Sequence, residues 1–114
     1  LFGVDVFNKD HKEAVKKLQA EKLNDRVMVD CSHANSGKKH EKQEIVWKSV
    51  MEQRVAGNTN LVGMMLESNL HEGNQKLTKK EDLKYGISIT DACVSWEKTE
   101  ELLKLAHEMM GKVV

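Results

Sequence analysis

Three residues stand where a chain of alternating strands and helices would place its chemistry: His33, Glu67 and Asp91. Each follows a short apolar run, from Val27 to Cys31, from Leu61 to Leu66 and from Ile87 to Ile89, and successive members are about one strand-helix repeat apart. In parallel α/β architectures the loops at the carboxyl ends of the strands collect the active-site groups, so one polar ligand-type residue per strand end is a pattern with a purpose. An imidazole with two carboxylates is a mixed nitrogen and oxygen donor set, suited to a divalent ion such as manganese, iron(II), cobalt or zinc. The same residues have plainer readings: His33 as a hydrogen-bonded loop residue, Glu67 as a surface carboxylate and Asp91 as a turn or helix cap.

The elements that must position these groups follow from periodicity. Between Lys9 and Lys22, Ala14, Val15 and Leu18 fall at helical spacing among charged residues, Leu23 closes the stripe, and Asp10 with Glu13 resembles a capping box. Val27 to Val29 reads as a buried strand entering the polar loop Asp30 to Gly37. A second helix is expected from about 39 to 56, with Val46, Val50 and Met51 on one face and Gly57-Asn58 as its stop. Leu61 to Leu66 is an uninterrupted apolar run, as expected of a parallel strand covered on both faces. The polar stretch from Ser68 to Gly86 is either a solvated loop or an ordered functional one. Ile87 to Ile89 makes a third strand candidate, and Ser95 caps a last helix with Glu97 in its first turn and Leu102, Leu103, Ala106, Met109 and Met110 on its inner stripe. Strands alternating with helices imply crossover connections and a parallel sheet, hence the α/β class. Three strands are few for such a sheet, so it reads as incomplete.

Composition narrows the function classes. The 114 residues make one modest core, and eighteen basic residues balance eighteen acidic ones, which leaves no field to steer the molecule onto nucleic acid or an anionic membrane. No apolar stretch approaches the roughly 20 residues of a membrane span. Two cysteines, Cys31 and Cys93, without a CxxC pair argue against a disulfide scaffold and for a reducing cytoplasm. The chain begins at Leu1 rather than methionine, which reads as a piece of something longer.

Several sharper motifs weaken on inspection. Gly37-Lys38 lacks the preceding glycine and following Ser or Thr of a phosphate-binding loop, and Lys38, Lys39, His40 and Lys42 fit a solvated basic face better than a phosphate site. Cys31, two residues before His33, shares its side of a continued strand as a metal ligand would, but a small buried residue is the better reading. His11, His40, His71 and His107 read as surface residues.

At the three strand ends the wording is also distinctive. Asp30-Cys31-Ser32-His33-Ala34-Asn35-Ser36, Glu67-Ser68 followed by Glu72-Gly73-Asn74-Gln75, and Tyr85 to Cys93 (YGISITDAC) followed by Trp96-Glu97 resemble the closing signatures of class I 3-deoxy-D-arabino-heptulosonate 7-phosphate (DAHP) synthases. The resemblance runs from about Val27 to the end of the chain, weaker through the first helix, and covers about the last third of the family's usual length. It implies that residues 1–114 are a single C-terminal segment of a (β/α)8 barrel, carrying about strands six to eight. It also implies that His33, Glu67 and Asp91 bind the catalytic divalent metal. The family's fourth ligand is a cysteine whose motif has no match here, and most cations that grip phosphoenolpyruvate are missing too. The parent reaction condenses phosphoenolpyruvate with erythrose 4-phosphate in the first step of the shikimate pathway. Asn74 and Gln75 are expected to order the loop around Glu67. The segment by itself is expected to be inert and to self-associate or pair with the missing N-terminal part; the alternative is a non-catalytic, metal-binding α/β module.

Overall fold

A computed structural model describes residues 10–112. The chain runs through α1 (Asp10–Ala20), β1 (Val27–Asp30), a single turn α2 (His33–Ser36), α3 (Gln43–Val55), β2 (Leu61–Met65) and α4 (Trp96–Gly111), with 3-10 turns at His40–Lys42 and Lys80–Asp82. Parallel neighbours need a crossover between them, and α3 provides it. β1 and β2 pair in parallel from Val27 opposite Leu61 to Asp30 opposite Met65, with one irregularity between Val27 and Met28. The result is a mixed helix and strand fold around a small parallel sheet, and the register sets the carboxyl ends of the two strands side by side.

One layer of helix covers one face of this sheet. Val29, Cys31 and Leu61 meet Val46, Trp47, Val50 and Met51 of α3 and Leu102 of α4, with Met64, Leu66, Ala106 and Met109 packed around them. Each such side chain contributes roughly 1.5–3 kcal/mol when fully removed from water. Trp47 also donates its indole N–H to the Leu102 carbonyl at 3.0 Å, tying α3 to α4. On the other face Met28 and Val62 are about half exposed. The radius of gyration is 16.1 Å, against about 13 Å for a compact domain of this length. The molecule is a slab. No helix among the described residues is long and apolar enough to cross a membrane.

Several expectations are corrected. Neither strand is covered on both sides, because among the described residues each has only one strand neighbour and a single helical layer. Ile87 to Ile89 is not a strand: Ser88 makes an isolated bridge to Asn74, and Ile89 lies 46% exposed. Leu23 does not close the first stripe. Lys22 takes a left-handed φ of 56° and the Leu23 N–H returns to the Leu18 carbonyl, a helix-ending turn that leaves the leucine outside. The inner stripe of α4 is narrower than expected, with Thr99 and Leu102 buried, Ala106 and Met109 packed on the core, and Leu103 and Met110 exposed. His11 is buried, its Nε2 3.1 Å from the Asn58 amide, so it is no surface residue. α3 starts at Gln43 after its 3-10 turn, and its end at Val55 before Gly57 is as expected. The Asp10 side chain lies outside the described residues, and with it the expected capping box.

Ser95 caps α4 as expected, its hydroxyl accepting the Lys98 N–H at 3.2 Å. At the same corner Glu44 of α3 accepts hydrogen bonds from Lys48 at 2.6 Å and sits 3.2 Å from Lys98 of α4, which also reaches Glu101. These cations, Lys48 before Lys98, hold the Glu44 carboxyl below its ordinary range. A carboxyl depressed in the folded state stabilises fully above its unfolded pKa of about 4.3, and that contribution disappears as pH falls through the folded value. Solvent screening keeps it under about 1 kcal/mol. The E44Q variant should therefore show a lower urea midpoint at pH 7, with the deficit fading by about pH 3; a deficit unchanged at acid pH would assign it to packing.

Candidate functional site

His33, Glu67 and Asp91 come together. His33 Nε2 lies 3.5 Å from Glu67 Oε1 and 3.3 Å from Asp91 Oδ2, and one donor atom from each of the three falls within 4.8 Å of the others. They border a cavity of about 10 Å³, the size of one water or ion. A much larger cavity, about 780 Å³ between α1 and α3, contains none of them.

His33 is placed by the turn that ends β1. Asp30 Oδ1 accepts the backbone N–H and the hydroxyl of Ser32 at 2.9 and 2.6 Å, while its Oδ2 lies 2.7 Å from His33 Nδ1. The Ser32 hydroxyl also lies 2.8 Å from Nδ1, and the Asn35 amide donates to the Asp30 carbonyl. His33 itself has a φ of 38°, a left-handed value that costs a residue with a side chain roughly 1–2 kcal/mol. Gly37, also left-handed at 61°, ends the turn so that the Lys38 N–H can return to the His33 carbonyl.

Glu67 is fixed through its backbone. The amide of Gln43, wholly buried at the start of α3, accepts the Glu67 N–H at 2.9 Å and donates to the Glu67 carbonyl at 3.2 Å. The next residue, Ser68, meets the Thr99 hydroxyl of α4 at 2.5 Å.

Asp91 is held by short bridges rather than by a third strand. Val94 donates to the Glu67 carbonyl and accepts from Asn69, and Cys93 exchanges both backbone hydrogen bonds with Gly73. Asn74 donates to the Thr90 carbonyl at 2.9 Å, while the Gln75 amide donates to the Lys84 and Ile87 carbonyls and accepts the Lys84 N–H. Gly86 has a φ of 78°, and a Cβ there would fall 2.8 Å from Leu70 Cβ, so only glycine allows this approach. The polar stretch is thus exposed yet stitched together, and Asn74 and Gln75 order the side leading to Asp91 rather than the side leading from Glu67.

The charges are unevenly settled. Burial opposes ionisation of Asp30, yet the hydrogen bonds from Ser32 and His33 outweigh it and hold its carboxyl below the usual range. The bond to Asp30, followed by the field of the carboxylates, raises the His33 pKa. Burial raises that of Glu67, with Asp91 adding to the effect and His33 opposing it. Unprotonated, His33 Nε2 aims a lone pair at two anionic oxygens. That arrangement calls for a cation, either a proton or a metal.

Cys31 faces away. It is wholly buried in the hydrophobic core, where burial pushes its thiol up to about 12, so it offers nothing to the cluster. Lys38, Lys39 and Lys42 are exposed, as a solvated basic face requires, whereas His40 is half-buried between Glu41 and Glu72. Sequence reasoning missed Gln43. Its signal was a glutamine at the first position of the stripe Gln43, Val46, Trp47, Val50, Met51, where an apolar residue belongs.

Residues 3–104 match the model of the DAHP synthetase I family. A phospho-2-dehydro-3-deoxyheptonate aldolase of Alternaria alternata is 50% identical over 113 residues, covering 97% of this chain and 29% of the relative. The Tyr-sensitive aldolase of the same name from Escherichia coli is 44% identical over 100 residues, 87% of this chain and 28% of its own. The solved structure of the aldolase from Francisella tularensis superposes with a TM-score of 0.85 at 39% identity, covering 92% of this chain and 30% of that one. The chain thus spans under a third of the length of these relatives.

Proposed function

Since the chain belongs to the DAHP synthetase I family, we propose that His33, Glu67 and Asp91 are three ligands of the divalent-metal site of a DAHP synthase, which joins phosphoenolpyruvate to erythrose 4-phosphate. The single observation that carries this reading is the convergence of an imidazole lone pair and two carboxylates from three separate loops on one ion-sized space. Ligands about 2.0–2.2 Å from one ion stand roughly 3.0–3.5 Å apart, as His33 Nε2 does from Glu67 and Asp91. The donor chemistry fits manganese, iron(II), cobalt or zinc.

When bound, such an ion supplies Lewis-acid polarisation of the aldehyde oxygen of erythrose 4-phosphate. The contribution of this chain is to keep the three donors preorganised. The Asp30 turn fixes His33, the Gln43 amide fixes Glu67, and the bridges around Val94 fix Asp91, so little reorganisation is left for the reaction to drive. Three donors leave the coordination sphere open, and the described residues bring no fourth His, Cys, Asp or Glu to the cluster.

The wider architecture is part of the proposal. Residues 1–114 form one segment of a (β/α)8 barrel, with β1 and β2 as neighbouring barrel strands and the site at their carboxyl ends. Supporting this are the parallel pairing across a helix, the single helical layer and an open apolar groove of about 360 Å³ beside Trp47, Val62, Leu103 and Met110. Free strand edges and such a groove call for a covering partner, either a second copy of the chain or the remaining part of a full-length enzyme. A cytoplasmic location suits a biosynthetic enzyme with two free cysteines.

Titrating manganese into the purified chain should reveal one site, with H33A and E67Q each weakening it at least roughly tenfold; affinity unchanged in both variants would remove the cluster from consideration. The same preparation, given both substrates and manganese, should form no DAHP above background, and product from the pure chain would overturn its inertness. Sedimentation velocity across a concentration series should show association; a monomer at the highest concentration would count against the exposed surfaces as interfaces.

A further inference from the structure

We infer that Asp30 is a positioning residue whose carboxylate fixes the tautomer of His33, holding the proton on Nδ1 and presenting the Nε2 lone pair to the space shared with Glu67 and Asp91. The inference rests on the metal-site reading and deepens it. A neutral imidazole carries one N–H, and three carboxylates compete for it. Asp30 Oδ2 lies 2.7 Å from Nδ1, a charge-assisted hydrogen bond, whereas Glu67 and Asp91 lie 3.5 and 3.3 Å from Nε2, beyond good geometry. The shorter bond wins, so the proton belongs on the Asp30 side.

Asp30 is well placed for this work. As the last residue of β1 it is anchored by pairing with Met65, and its side chain is 14% exposed. Its other carboxylate oxygen accepts from both donors of Ser32, so the group cannot rotate away without losing them. Ser32 Oγ, 2.8 Å from Nδ1, directs its own proton to Asp30 Oδ1 and presents only a lone pair to the ring. Both neighbours of Nδ1 therefore accept. A carboxylate behind a metal-facing imidazole both orients the ring and makes its free nitrogen a better donor. Asparagine at the same position keeps the shape, but the two Ser32 donors claim its carbonyl and turn its amide N–H towards Nδ1, which reverses the preference.

The test uses the whole 114-residue chain, metal-free, with nitrogen-15 in its histidines. At about pH 9, long-range proton-nitrogen spectra should show wild-type His33 as the Nδ1–H tautomer and D30N shifted towards the Nε2–H tautomer. Manganese affinity should fall roughly 10- to 100-fold in D30N, with circular dichroism matching wild type. An Nε2–H ring in the wild-type chain would overturn the inference without any variant, and so would a folded D30N that keeps the wild-type tautomer. A wild-type chain with the expected tautomer that binds no manganese would instead sink the metal-site reading and leave the hold of Asp30 on the ring intact.

Discussion

The structure depends on an unfavourable meeting. Two carboxylates within 5 Å of each other repel by about 3–4 kcal/mol at an effective dielectric near 20, less where one of them is open to water, as Asp91 is. An imidazole lone pair aimed at both adds to the cost. Nothing in the cluster itself draws these groups together without a cation between them. They converge because the backbone on either side of each is held elsewhere, and the hydrogen bonds of the loops are best understood as the means of holding them.

Three different means are used. For His33 the anchor is local, an aspartate three residues upstream that closes a turn and tolerates a left-handed φ at the histidine. For Glu67 it is long-range, a buried amide on a helix twenty-four residues away that pairs with both backbone groups of the glutamate. Asp91 follows a backbone bridged to residues 68–74. The parallel register of β1 on β2 makes these separate anchors converge, since it sets Asp30 opposite Met65 and so starts the first two loops from the same edge. That register in turn rests on Val29 and Leu61 being buried against α3 and Leu102. Core and site are linked through two residues, Gln43 and Thr99, that occupy the buried sides of their helices yet bond to the loop after β2.

Much of this was legible in the residues, for identifiable reasons. Helices with one apolar face announce themselves by spacing, and α3 and α4 were found with their caps because Gly57 and Ser95 have local jobs. His33, Glu67 and Asp91 were legible because ligand-type residues directly after apolar runs are conspicuous. What failed was whatever depended on neighbours. An apolar run such as Leu61 to Leu66 shows that a strand wants cover on both faces, not that the cover is present. Ile87 to Ile89 carries strand-like residues, but the carbonyls of Ile87 and Thr90 are taken by the side-chain amides of Gln75 and Asn74, and a single bridge forms in place of a ladder. Gln43 was invisible because a glutamine in an apolar stripe looks like noise until the backbone it serves is known.

The polar and apolar parts of the molecule differ in how self-sufficient they are. Among the described residues, every anchor that places the three converging side chains lies within residues 30 to 99. The apolar surfaces are not closed in the same way: Met28 and Val62 on the uncovered sheet face, and Leu103 and Met110 beside the groove, remain in water at a cost near 25 cal/mol for each Å² left exposed. Hydrogen-bonded turns can be completed locally because each bond is directional and short. A hydrophobic face is satisfied only by area, and area must come from another layer. A chain under a third the length of its relatives can therefore carry well-formed loops on an incompletely covered sheet, so the order of the site and the closure of the fold around it are separate properties.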